Sequence, residues 1–213
     1  NLDSKFRDSA NPPSWTGMDA LTHALEAFFV PDDHDGGVGF HPMCDGIALR
    51  AMKSIDKWLV RVYQNGADKE GRAHLLAASS MAAVAFHKGL GGVHGLSEPI
   101  GAVYNTQHGL TNAIILPAVM KFNLPHVGEK VRYISQAMDL KEASSSIILE
   151  DIGKILDYVE IPRSLSEIGV PLECKKRIAK KAMLDSATGT NPRVAQIKDV
   201  EKLTEISILS ARE

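Results

Sequence analysis

Cysteine is scarce in this chain. Only Cys44 and Cys174 occur among 213 residues, with no C-x-x-C pair, so a disulfide framework is excluded and a reducing cytoplasm is expected. Aromatics reach only 6%, and with abundant Ala, Leu and Met this favours helix over sheet. Neither sign of charge dominates. Lys and Arg number 24 against 26 Asp and Glu, a net charge of −2, whereas nucleic acid and anionic membranes call for a clustered basic surface. No apolar run approaches the roughly 18 residues of a membrane span. The opening NLDSKFRDSANPPSW is too polar for a signal peptide. The chain starts at Asn1 rather than Met, so a piece of a longer protein is expected. Period-2 alternation is nearly missing, as are internal repeats and low-complexity tracts, so no sheet is expected.

What is present is helical periodicity broken by Gly, Pro and Asn. After Pro12-Pro13, Ser14 or Thr16 is placed to cap a helix ending near Phe29. Pro31 to Pro42 reads as a loop. Met43 to Tyr63 then sets Ile47, Ala51, Ile55, Trp58 and Leu59 on one face. Lys69 to His87 is rich in small residues and reads as a central helix packed on several sides. Two further helical pieces bracket His94 and His108, with Pro117 predicting a kink or break in the second. Val131–Met138, Ser145–Val159, Leu172–Leu184 and Val200–Ser210 complete an all-α domain of about eight or nine helices, by the same periodicity.

Eight histidines occur, and a lone histidine is ordinarily a core or surface residue. Three of these stand in more telling surroundings. Asp19 and His23 are four residues apart, which on a helix stacks a carboxylate and an imidazole on one face. That helix is otherwise apolar, so burying the pair is costly without a cation or a dense hydrogen-bond network. His94 and His108 each precede a glycine, which leaves room for an approaching backbone or substrate. Together these residues offer three imidazoles and one carboxylate. Such a mixed set suits Fe(II) or Zn(II) better than Ca or Mg.

GMDALTHALEAF (17–28) and GLGGVHGLSEPIGAVYNTQHGLTNAIILP (89–117) resemble the two metal-ligand segments of the iron-containing (group III) alcohol dehydrogenases. Asp185 with ATGTNPR (187–193) resembles that family's D…NPR stretch, and the likeness runs from about Trp15 to the chain's end. The resemblance implies the all-α C-terminal half of the dehydroquinate synthase-like fold, with Asp19, His23, His94 and His108 binding a divalent iron. Two positions depart from the family's wording. Glu98 stands where many members have a further histidine near the nicotinamide, and Gln107 stands where a proline commonly precedes the last ligand. Glu98 is left with three readings: proton carrier, outer partner of a ligand, or solvated side chain.

The resemblance further implies hydride transfer between a small alcohol or aldehyde and NAD(P), with the nucleotide on an N-terminal α/β domain that residues 1–213 do not contain. The GLGGVHG run (89–95) is no dinucleotide fingerprint, since no strand pattern precedes it and a candidate ligand, His94, lies inside it. The expectation is a single helical metal-binding domain, inactive alone, with homo-oligomers common among relatives. Zinc competes with iron for the same ligands. A glycerol dehydrogenase-like zinc enzyme and a non-enzymatic metal-binding module are the competing readings. No H-E-x-x-H general base is present, which disfavours a metallohydrolase.

Overall fold

A computed structural model describes residues 11–33 and 39–212, and all regular structure among them is helical. Helix α1 spans Asn11–Phe29, α2 Pro42–Gln64, α3 Lys69–Ala85, α4 Gly92–Tyr104 and α5 His108–Asn123. The remainder is α6 (Lys130–Ala137), α7 (Ser145–Tyr158), α8 (Lys175–Ala182), the short α9 (Ser186–Gly189) and α10 (Ile197–Leu209). Ten helices thus stand among the described residues, against eight or nine expected. None is long and apolar enough to cross a membrane.

Helix α1 begins at Asn11, ahead of the expected caps at Ser14 or Thr16. Prolines fit its first turn, where the backbone N–H groups have no helical partner. The α1, α2 and α3 helices pack on one another, and α5 lies against α1, α4, α7 and α10. Every residue of α5 from Gly109 to Met120 is buried, so α5 is the central helix. The small-residue helix α3 is not. It buries Gly71, Ala78, Ala82 and Ala85, while Leu76 and Val84 are exposed. Its small residues let one stripe approach α2 closely rather than all faces pack. In α2 the expected face does form: Ala51, Ile55, Trp58 and Leu59 are buried and Ile47 packs against them.

Pro117 does not break α5, which runs on to Asn123. Burial on all sides holds the helix together where an isolated proline would end it. Two further ends fall short of expectation. Helix α3 stops at Ala85 and tightens into a 3-10 turn at Phe86–Lys88, and α8 starts at Lys175 after a 3-10 turn at Leu172–Cys174. The Lys88 ammonium is fully buried and is held by Asp45 at 2.8 Å and Asp32 at 3.3 Å. This ties the turn after α3 to the start of α2.

One core-facing group lacks such compensation. Burial, with the nearby Asp151 and Asp139 charges, pushes the Asp56 carboxyl of α2 up to about 7 from its ordinary 3.8. The folded chain therefore binds this proton more tightly than the unfolded chain. The resulting stability is complete below about pH 4 and is lost as pH rises through about 7. Asp56→Asn is expected to be more stable than the parent by about 1 kcal/mol at pH 8, discounted for partial solvation. That gain should vanish at pH 4 in urea unfolding. A gain independent of pH would contradict the assignment.

Candidate metal centre

Three helices bring the predicted ligands together. Asp19 and His23 lie one turn apart on α1, His94 lies in the first turn of α4, and His108 is the first residue of α5. One donor atom from each of the four falls within 4.8 Å of the others. The Oδ1 of Asp19 is 3.6 Å from Nε2 of His108 and 3.9 Å from Nε2 of His94. The His23 and His94 rings stack at 4.6 Å between centroids, and those of His94 and His108 tilt at 5.3 Å. His94 is buried, whereas the His108 side chain is 41% exposed, so the group opens to solvent on the α5 side.

The glycines beside the histidines set this approach. A Cβ on Gly109 would come within 2.6 Å of the Trp15 carbonyl oxygen, and one on Gly95 would collide with the Thr188 side chain. Gln107 has a local explanation as well. Its side chain accepts the Leu110 N–H at 2.6 Å and caps α5, so the helix starts at the ligand itself.

Two residues that the sequence reading missed complete the group. Asn112, one turn beyond His108, places Nδ2 2.7 Å from Asp19 Oδ1, 3.0 Å from His108 Nε2 and 3.1 Å from His94 Nε2. Two N–H groups cannot serve three acceptors, and Oδ1 of the same amide is buried without a partner. The cluster is short of positive charge, and its donor set fits a divalent cation. Glu26 is the second. It is buried, accepts the Val93 N–H at 2.6 Å and lies 2.6 Å from Nδ1 of His94. Both residues share a helix face with a predicted ligand: Glu26 follows His23 by three and Asn112 follows His108 by four. A carboxylate or amide at that spacing in an apolar helix was the available signal.

The electrostatics follow from this packing. Burial, reinforced by the neighbouring imidazoles against the pull of Asp19 and Glu26, lowers His23 to about 4. For His94 burial also pulls downward, but the hydrogen bond and charge of Glu26, with Asp19 and Glu98, outweigh it and raise the ring above its ordinary value. His23 therefore keeps a free lone pair at neutral pH. Glu98 sits at the open side, 58% exposed, with Oε1 3.8 Å from Nδ1 of His108.

The Asp185–Arg193 stretch has a structural part in the same assembly. Asn191 accepts the Gly92 N–H at 2.9 Å and exchanges two hydrogen bonds with the Asn123 amide, joining the start of α4 to the end of α5. Arg193 lies over the Phe122 ring at 3.8 Å. Other histidines stand elsewhere: His41 caps α2 and His74 stacks on Trp58. His34 lies outside the described residues.

An all-helical domain that gathers three imidazoles and a carboxylate from three helices defines a class, helical domains with a candidate metal-binding cluster. Residues 14–208 match the Fe-containing alcohol dehydrogenase family, C-terminal, and the chain belongs to that family. It is 36% identical over 198 residues to the NAD-dependent methanol dehydrogenase of Bacillus methanolicus, covering 88% of this chain and 49% of that protein. It is 34% identical over 211 residues to lactaldehyde reductase of Escherichia coli K12, covering 95% and 53%. A crystal structure of 1,3-propanediol oxidoreductase superposes with a TM-score of 0.88 at 27% identity, covering 94% and 53%. The chain thus spans about half the length of the curated relatives it matches.

The glycine contacts make a direct prediction. Gly109→Ala must push α5 away from α1, at an overpacking cost of about 1–3 kcal/mol. Denaturant unfolding should record that loss. Unchanged stability would show that the two helices do not need their close approach.

Proposed function

We propose that this chain is the metal-binding half of a nicotinamide-dependent oxidoreductase acting on small alcohols or aldehydes, with Asp19, His23, His94 and His108 holding one divalent ion. The convergence of four donor atoms within 4.8 Å around a buried, under-satisfied amide carries the reading. Iron(II) is favoured by the family, and zinc(II) is compatible with the same ligands. When bound, such an ion supplies Lewis acidity to an alcohol or carbonyl oxygen, which lowers the barrier to moving a hydride.

The residues of this chain perform the remaining tasks. Packing of α1 against α5 holds Asp19 and His108 at their separation, and the buried His94 keeps water from one side of the group. Val93, Leu96 and Ile100 are core residues of α4 and support that wall from behind. Glu98, exposed at the rim with Oε1 3.8 Å from Nδ1 of His108, is proposed as an outer partner of that imidazole and a carrier of protons to solvent. A solvated side chain with no such part is the simpler role, and Glu98→Gln decides between them through the pH profile of the whole enzyme.

The nicotinamide nucleotide is assigned to a part of the protein outside this helical domain. The relatives named above are NAD-dependent or reductive enzymes about twice as long as the matched region. No strand followed by a glycine-rich turn stands among the described residues.

Anaerobically purified chain is expected to carry about one iron or zinc per chain, and His94→Ala/His108→Ala to carry none, by elemental analysis. Neither form should reduce NAD(P) with methanol or propanediol as substrate. Metal retained by the double variant would overturn the ligand set, and nucleotide reduction by the chain alone would overturn the assignment of the nucleotide to another part.

A further inference from the structure

Helix α4 lacks a capping side chain of its own. Its N-cap is Gly91, and its first N–H groups are served from elsewhere in the fold. Asn191 takes the Gly92 N–H, and Glu26 takes the Val93 N–H at 2.6 Å and approaches the His94 N–H at 3.4 Å. The same Glu26 carboxylate also meets Nδ1 of His94 at 2.6 Å. Both oxygens of Glu26 face backbone donors, Oε1 the Val93 N–H and Oε2 the His94 N–H, so each presents a lone pair. The ring nitrogen that faces Oε2 is therefore placed to donate to it. Gly91 is needed for this approach, because a Cβ there would lie 2.8 Å from Oε1 of Glu26.

We propose that Glu26 is a positioning residue that locks His94 with its proton on Nδ1, leaving the Nε2 lone pair aimed at Asp19 and His108. The inference rests on the metal-centre reading for its purpose, but not for its geometry. Two features make the lock stiff. The carboxylate is anchored by the backbone of the residue that carries the ring, so ring and anchor move together. Glu26 also lies on the α1 face that carries Asp19 and His23, so the lock sets α4 in register with the other ligands.

Glutamine at this position discriminates the lock from simple packing. The amide keeps the shape of the carboxylate but has a single acceptor. The Val93 N–H demands that acceptor, so the NH2 group turns toward Nδ1 and drives the His94 proton onto Nε2. The close Val93 and Nδ1 hydrogen bonds are thereby kept in metal-free Glu26→Gln, at the loss of the long His94 N–H contact and of the Asn112 approach to Nε2, and His94 presents a proton where a lone pair is required. Glu26→Ala removes the lock without imposing the wrong tautomer.

The experiment is ring 15N NMR of His94 in alkaline solution on the metal-free chain, with zinc affinity measured by chelator competition for parent, Glu26→Gln and Glu26→Ala. The parent is expected to carry its proton on Nδ1 and Glu26→Gln on Nε2. Zinc affinity should fall about 10–100-fold in Glu26→Gln, further than in Glu26→Ala, although Glu26→Gln is the more thermally stable of the two variants. Affinity that tracks thermal stability, with Glu26→Gln matching the parent, would reduce Glu26 to a packing residue. An Nε2-protonated parent would overturn the proposal outright. If the parent takes up no zinc, the metal-centre reading fails, and the metal-free tautomers still decide the role of Glu26.

Discussion

Lone pairs that point at one another repel. Asp19, His23, His94 and His108 aim a carboxylate oxygen and three imidazoles into a space less than 5 Å across, and the protein sets a single amide group, that of Asn112, among them. No apolar packing argument calls for that arrangement, since apolar residues of similar size would fill the space without an electrostatic penalty. The arrangement suits a positive charge at its centre, which the proposed ion would supply. The surrounding structure is built to keep these donors together.

Holding the four donors together requires close contact between helices that are far apart in sequence. Glycine provides it where α5 meets the backbone of α1 and where α4 meets α9. Polar clamps provide the rest. Asn191 and Asn123 bind the start of α4 to the end of α5, and Glu26 binds the start of α4 to α1. Each clamp gives every one of its buried side-chain polar atoms a partner, as a low-dielectric interior demands. The α4 start that carries His94 is therefore fixed by side chains from distant segments, whereas α2, α3 and α5 carry local caps at His41, Asp68 and Gln107.

This division explains which parts of the protein were legible in its sequence. The Asp19–His23 pair was readable from helical spacing alone, because both residues lie on one element. His94 and His108 stood out by their neighbouring glycines, but only the resemblance joined them to the α1 pair, since nothing in local spacing says that two helix starts meet α1. Glu26 and Asn112 passed unnoticed because each looks like an ordinary polar residue until its distant partners are in place. The helix order was largely apparent, but the identity of the central helix was not. Small residues in α3 suggested burial on all faces, while the long aliphatic run of α5 takes that place. Composition reports how closely a helix can be approached, and only the packing reports from how many sides. Pro117 followed the same pattern, its local tendency to break a helix overridden by burial.

The central claim, that these four side chains bind one divalent ion, is tested most directly by X-ray absorption at the metal edge of the chain loaded with one equivalent of iron(II). The account predicts a first shell of nitrogen and oxygen with multiple scattering from three imidazoles, as His23, His94 and His108 require. A spectrum of an ion coordinated by water alone, or with fewer imidazoles than three, would contradict it.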